Sequence, residues 1–133
     1  MSIMRRTAWP NAMTLDVPAM DQPHHLLFGE LSDLAGLPES EFTSRFRTMV
    51  ADLERDFYAE DEWMERLDYP ETHSHREQHA IASSALHHAH SQVMAGDIEL
   101  GRIVAVSLRA WLTDHIVTMD LQLARAIRRA SVR

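Results

Sequence analysis

The sequence predicts an all-α protein: an antiparallel up-down four-helix bundle with an irregular N-terminal segment and a C-terminal helical extension. Three observations carry this. Apolar residues recur at helical rather than two-residue spacing. Glycine is confined to positions 29, 36, 96 and 101. Breakers fall between long periodic stretches, which leaves short connections of the kind that join antiparallel neighbours. The 133 residues suit a single domain spanning 1–133, with no repeat, low-complexity tract or second domain.

Pro10, Asn11 and Pro18 keep residues 1–17 out of regular helix. A first helix is expected over about 19–35, ending at Gly36-Leu37-Pro38, and a second over about 39–67. Asp68-Tyr69-Pro70 makes the next turn, and a third helix runs over about 71–94, before Gly96. Asp97 suits the N-cap of a fourth helix reaching about 113. A last helical piece covers about 115–130, with Arg125, Arg128 and Arg129 near its C-terminal end, where they complement the helix dipole.

Composition excludes several classes. Thirteen basic against 20 acidic residues give a net charge of −7, a poor match for nucleic acid or an anionic membrane surface. With no cysteine there is no disulfide, thiolate metal site or cysteine nucleophile. The apolar run 103–112 is too short and interrupted to span a bilayer. The opening MSIMRRTAWPNAM has two arginines but no apolar run behind them, so a soluble, cytoplasmic chain is expected. Histidine is the oddity: nine in all, six of them within 73–90.

The inward seams carry unusual residues. The first helix aligns His24, Leu27, Leu31 and Leu34, and the second Phe46, Met49, Leu53, Asp56, Glu60, Met64 and Leu67. The third aligns His75, His79, Ala82, Leu86, Ala89 and Val93, and the fourth Val104, Leu108, Trp111 and His115. A lone buried carboxylate costs several kcal/mol unless it is paired or metal-bound. In an up-down bundle, His24, Asp56, Glu60, His75, His79 and His115 fall in one layer. Imidazole and carboxylate donors without thiolate suit iron, manganese or zinc, and two carboxylates able to bridge suggest a pair of ions.

The bland readings weigh differently at each position. An isolated i, i+4 histidine pair is usually a surface accident. Glu54, Asp61, Glu62 and Glu65 around Asp56 and Glu60 suggest a solvated face. The agreement across four helices favours a metal site. Histidines 25, 73, 87, 88 and 90 are read as surface residues.

Over nearly its whole length the chain resembles the hemerythrins, in particular the single-domain bacterial hemerythrin-like proteins. MDQPHHLLF at 20–28 is similar to the family's first-helix pattern, with an aspartate three residues before the ligand histidine and a phenylalanine four after it. DFYAEDEWM at 56–64 resembles HFxxEExxM, YPETHSHREQH at 69–79 resembles Tyr-Pro followed by HxxxH, and WLTDHIVTMD at 111–120 resembles WLxxHIxxxD. Trp9 matches a tryptophan common near the family's N-terminus.

The resemblance implies a non-haem, carboxylate-bridged di-iron site that binds O2 or another diatomic ligand. It would be held by His24, Glu60, His75, His79, His115 and Asp120, with manganese and zinc as other metals that suit the donors. One iron would take His75, His79 and His115, and the O2-binding iron His24 and position 56. There the family pattern has a ligand histidine and this chain has Asp56. Direct coordination, coordination through a water and an additional open position are all compatible with aspartate. Phe57, Trp111, Leu112 and Ile116 would form the apolar wall on the O2 side. His115 and Asp120 are i, i+5, about 140° apart on a regular helix, so both reach the metals only through a distortion such as a π-type turn.

The first functional expectation is O2 carriage, storage, delivery or sensing, with no catalytic residue assigned. The alternative is a di-iron oxidoreductase that activates O2 or consumes peroxide at the same site. A metal-free bundle used for protein contacts is the third. Protein partners are not legible.

Overall fold

The computed structural model describes residues 9–131. The beginning of the irregular segment, residues 1–8, lies outside the described residues, as do 132 and 133. Four long helices form the bundle: α1 (Pro18–Leu34), α2 (Glu39–Leu67), α3 (Thr72–Met94) and α4 (Ile98–His115). A π-helical segment, Ile116–Asp120, joins α4 to α5 (Leu121–Ser131). There is no strand among the described residues. Helix α1 packs on α2 and α4, and α3 on the same two helices from the other side, so the four close a bundle.

The helix ends follow their local chemistry. Pro18 stands at the start of α1, where its missing N–H costs nothing. Asp68 ends α2 in the left-handed region at φ 49°, and Gly96 at φ 106° turns the chain after α3. The Asp97 carboxylate accepts from the Leu100 N–H at 3.0 Å, the expected cap of α4. Arg102 reaches back from α4 to donate to the carbonyls of Leu34, Ala35 and Leu37, satisfying acceptors left over at the end of α1.

The expected seams of α1 and α3 are buried throughout, and that of α2 is buried but for half-buried Leu67. Helix α4 differs. Its inward line is Gly101, Ala105, Leu108, Leu112 and His115, while Val104 and Trp111 lie half-buried on the flank. The reason is steric. A Cβ at Gly101 would stand 2.5 Å from Phe42 Cε1 and 2.7 Å from Val93 Cγ2. Small residues let α4 approach α2 and α3 closely, and a reading that follows large apolar side chains selects the neighbouring stripe.

The described part of the N-terminal segment forms one short 3-10 turn, Asn11–Met13, and is otherwise irregular but packed. Met13, Leu15 and Val17 belong to the core. The Leu15 N–H donates to Asp21 at 2.9 Å, and Arg128 of α5 donates to the Leu15 carbonyl. Among the described residues, no helix is long and apolar enough to cross a membrane.

Candidate metal centre

Seven buried polar side chains meet near one end of the bundle: His24, Asp56, Glu60, His75, His79, His115 and Asp120. Each helix contributes for a local reason. Asp56 and Glu60, and likewise His75 and His79, are one turn apart, so each pair projects from one face. His115 ends α4. Asp120 joins it because the next turn is wound to i, i+5: the Leu121 N–H donates to the Ile116 carbonyl. The expected π-type irregularity is therefore present at 116–120.

The imidazoles all turn Nε2 toward carboxylates. Glu60 Oε1 faces His75 at 3.2 Å and His79 at 3.0 Å, while Oε2 faces His24 at 3.1 Å. Asp120 Oδ1 faces His75 at 3.0 Å and His115 at 3.2 Å, while Oδ2 faces His24 at 3.2 Å. Asp56 Oδ2 is farther from His24, at 3.6 Å. Donor atoms of Glu60, His75, His79, His115 and Asp120 lie within 4.8 Å of one another, as do those of His24, Asp56 and Glu60. The two groups share Glu60.

This donor set fits metal better than it fits hydrogen bonding. Both Asp120 oxygens, Asp56 Oδ2 and His115 Nε2 are buried without a well-directed hydrogen bond, despite counter-charges close by. Atoms that approach one another without donor geometry are aimed at shared points between them. Nitrogen and carboxylate donors of this kind suit iron, manganese or zinc.

Metal-free, the cluster is balanced by protons. Burial lowers the His24 pKa, but the close carboxylates of Asp120 and Glu60 overcome this and raise it to about 11. His75 rises to about 9 against the same burial, through the same two carboxylates. Burial and the Asp120 charge push Glu60 up, and the imidazoles of His24, His75 and His79 bring it below the ordinary range. Burial likewise opposes ionisation of Asp120, yet His115, His24 and His75 hold it well below that range. Asp56 goes the other way. Burial and the Glu60 charge raise it well above the usual value, with only His24 and His75 opposing. Two imidazolium charges thus stand where cations would neutralise Glu60 and Asp120.

Two supporting residues were not legible as such. With Nε2 turned inward, His79 donates from Nδ1 to Asp61 at 3.1 Å, and His115 donates from Nδ1 to Gln78 at 3.1 Å. Such partners fix the ring and make the inward nitrogen a better donor to metal. Asp61, one of the acidic residues around Asp56 and Glu60 that offered the alternative of a solvated face, is half-buried. Gln78 lies beside the α3 seam, where periodicity carries no signal.

Phe57 stacks on His79 with centroids 4.0 Å apart, and Trp111 stacks on His115 at 4.6 Å. The sequence reading placed both rings on the wall beside His24 and position 56. In the structure both rings pack against imidazoles of the three-histidine group. Leu112 and Ile116 are fully buried.

The remaining histidines lie outside the cluster. His73, His87 and His88 are exposed, with His73 facing Glu77 and His87 facing Glu54. His25 is exposed and stacks on Trp9 at 3.7 Å. His90 departs from the surface reading: it is half-buried, 5.9 Å from the Phe46 ring.

No protein-family model matches the chain. A curated bacteriohemerythrin from Ralstonia nicotianae is 30% identical over 112 residues, which cover 84% of this chain and 82% of that protein.

Proposed function

The chain belongs to the hemerythrin family, and on that premise we propose that it is a non-haem di-iron protein that binds O2. The observation that carries the reading is the division of the Glu60 and Asp120 oxygens between His24 on one side and the three other imidazoles on the other. His75, His79 and His115 would hold one iron and His24 with Asp56 the other, both carboxylates spanning the two. Bound iron would supply the electrons that O2 binding draws on.

The protein's own residues set the conditions. Asp61 and Gln78 hold two imidazoles in orientation. Phe57 and Trp111 cover the three-histidine end, and buried Leu112 and Ile116 add apolar volume that limits water. Asp56 supplies a hard, anionic donor where the family pattern has a neutral imidazole, and it leaves one position less crowded.

That last feature favours a second reading, an oxidoreductase that activates O2 or consumes peroxide at the same site. Purified protein should contain iron, and its spectrum in air should differ from that under reductant. A spectrum that returns over repeated deoxygenation cycles supports binding. Steady turnover with peroxide and a reductant, without a recoverable spectrum, supports the enzyme. Iron-supplemented expression that yields only trace metal would sink both.

A further inference from the structure

A surface cavity of about 340 Å³ opens between α1 and α2 and reaches the cluster at Asp56. Pro23 and Leu26 form its α1 side, and Asp52, Arg55, Asp56 and Ala59 its α2 side. Three carboxylates follow one another along α2 at four-residue steps: Asp52, Asp56 and Glu60. Each step advances about 6 Å and turns about 40°, so they form one slanting row. Side-chain exposure falls along that row from 13% at Asp52 to 2% at Asp56 and 0% at Glu60. The row therefore leads from solvent to the bridging carboxylate.

Asp56 is the joint between cavity and cluster. It lines the cavity, and its Oδ2 is buried without a directed hydrogen bond among the described residues. A second carboxyl crowds Asp52 as well. Glu30 stands beside Asp52, and its carboxyl is raised to about 8 by burial and by the hydrogen bond and charge of Asp52. A proton lies where two carboxylates crowd, a place a cation would also fill. Arg55 pairs with Asp52 at 2.8 Å, but its side chain is 73% exposed, so the tether is weak and easily displaced.

We propose that Asp52, Asp56 and Glu60 are the path by which divalent cations enter the buried site, with Asp52 as the first contact. A hydrated cation needs oxygen donors to replace its waters step by step, and carboxylates spaced one turn apart provide them. An acidic mouth also concentrates cations and speeds their capture. The path rests on the reading of Asp56 and Glu60 as part of a metal centre, and it concerns how that centre is filled.

The test follows cobalt(II) uptake by the metal-stripped full chain, using the visible absorption of the bound ion in stopped flow. Asp52→Asn should slow uptake about ten-fold at low salt and flatten its dependence on ionic strength, with the same final stoichiometry. Asp52→Glu should restore the rate, and Ala59→Trp, which narrows the cavity, should slow it without altering charge. Circular dichroism of each stripped variant checks that the helices are retained. An unchanged rate in Asp52→Asn, at unchanged stoichiometry, overturns the path and leaves the centre standing. Equal slowing of cobalt uptake and of O2 binding in iron-loaded Asp52→Asn also overturns it, since the opening would then be a general aperture. No uptake by the unaltered chain overturns the centre and the path together.

Discussion

Glu60 and Asp120 split their oxygens in the same sense: one oxygen of each faces His24, and the other faces the imidazoles of α3 and α4. They come from different parts of the chain, one from the middle of α2 and one from the π turn. Their agreement defines two points between them rather than one. A single ion would gather all four oxygens or leave two of them idle.

From this, the protein is expected to bind two metal ions per chain, and Glu60→Ala should reduce this to at most one. Elemental analysis of protein refolded or expressed with iron in excess reads the number. Chelation should lower the thermal midpoint, because Glu60 and Asp120 are then neutralised only by protons on neighbouring imidazoles. A midpoint that ignores chelation would argue that the ions sit elsewhere.

The metal-free chain should lose stability as pH rises above neutrality. His24 and His75 titrate in the fold at about 11 and about 9, above the ordinary 6.5. Asp56 and Glu60 from α2 and Asp120 from the π turn face these rings, with His79 and His115 alongside. Folded protein then binds protons that the unfolded chain releases, so stability falls with pH. The contribution is complete below about 6.5. The His75 part is lost as pH passes about 9 and the His24 part as it passes about 11. Raised Asp56 acts in the same direction. Melting at pH 6 and pH 9.5 should show a larger drop for stripped protein than for loaded protein, whose imidazoles already lack the proton.

Much of this was legible, and for identifiable reasons. Helical periodicity with breakers between stretches marks four long helices, and the α3 seam from His75 to Val93 is buried at every position named. Carboxylates and histidines on a core seam stand out because burial without a partner is so costly. Even the π turn was foreseeable, since His115 and Asp120 cannot otherwise face one point. The α4 seam was misread because Gly101 and Ala105 carry little hydrophobic signal, although their smallness is what places the helix. Asp61 and Gln78 were missed because they act through another side chain, a relation no spacing rule encodes.

Gly101→Ala tests the α4 placement. The added methyl meets the fully buried Phe42 ring and Val93, and overpacking costs about 1–3 kcal/mol. Better helix propensity returns about 1 kcal/mol, so the net effect is a loss of up to about 2 kcal/mol. Chemical denaturation reads this directly. Phe42→Leu in the same chain should recover part of the loss, and a stabilised Gly101→Ala would refute the close approach.

Alanine at His73, His87, His88 and His90 together should leave metal content unchanged. Three of the four are exposed, and the fourth packs toward Phe46 rather than the cluster. Stability should fall modestly through His90 alone. Losing one equivalent of metal would show that one of these rings completes the site at the Asp56 end.

Asp56→His carries the strongest consequence. Asp56 lines a cavity of about 340 Å³, so an imidazole has room without displacing α1. If Asp56 binds iron as a carboxylate, the ligands hold one more negative charge than a histidine would give. Extra negative charge favours the ferric over the ferrous state, because the stabilisation grows with the charge on the ion. The unaltered protein should therefore have a low reduction potential and an O2-bound form that autoxidises quickly. Asp56→His should raise the potential and slow autoxidation, measured by spectroelectrochemistry and by decay of the spectrum in air. Phe57, Trp111, Leu112 and Ile116 are the same in both proteins, so the comparison isolates the donor. Loading should be slower in the variant if cations enter past Asp56, so stoichiometry is compared after equilibration. Two irons bound with potential and autoxidation rate unchanged would mean that Asp56 does not touch the metal.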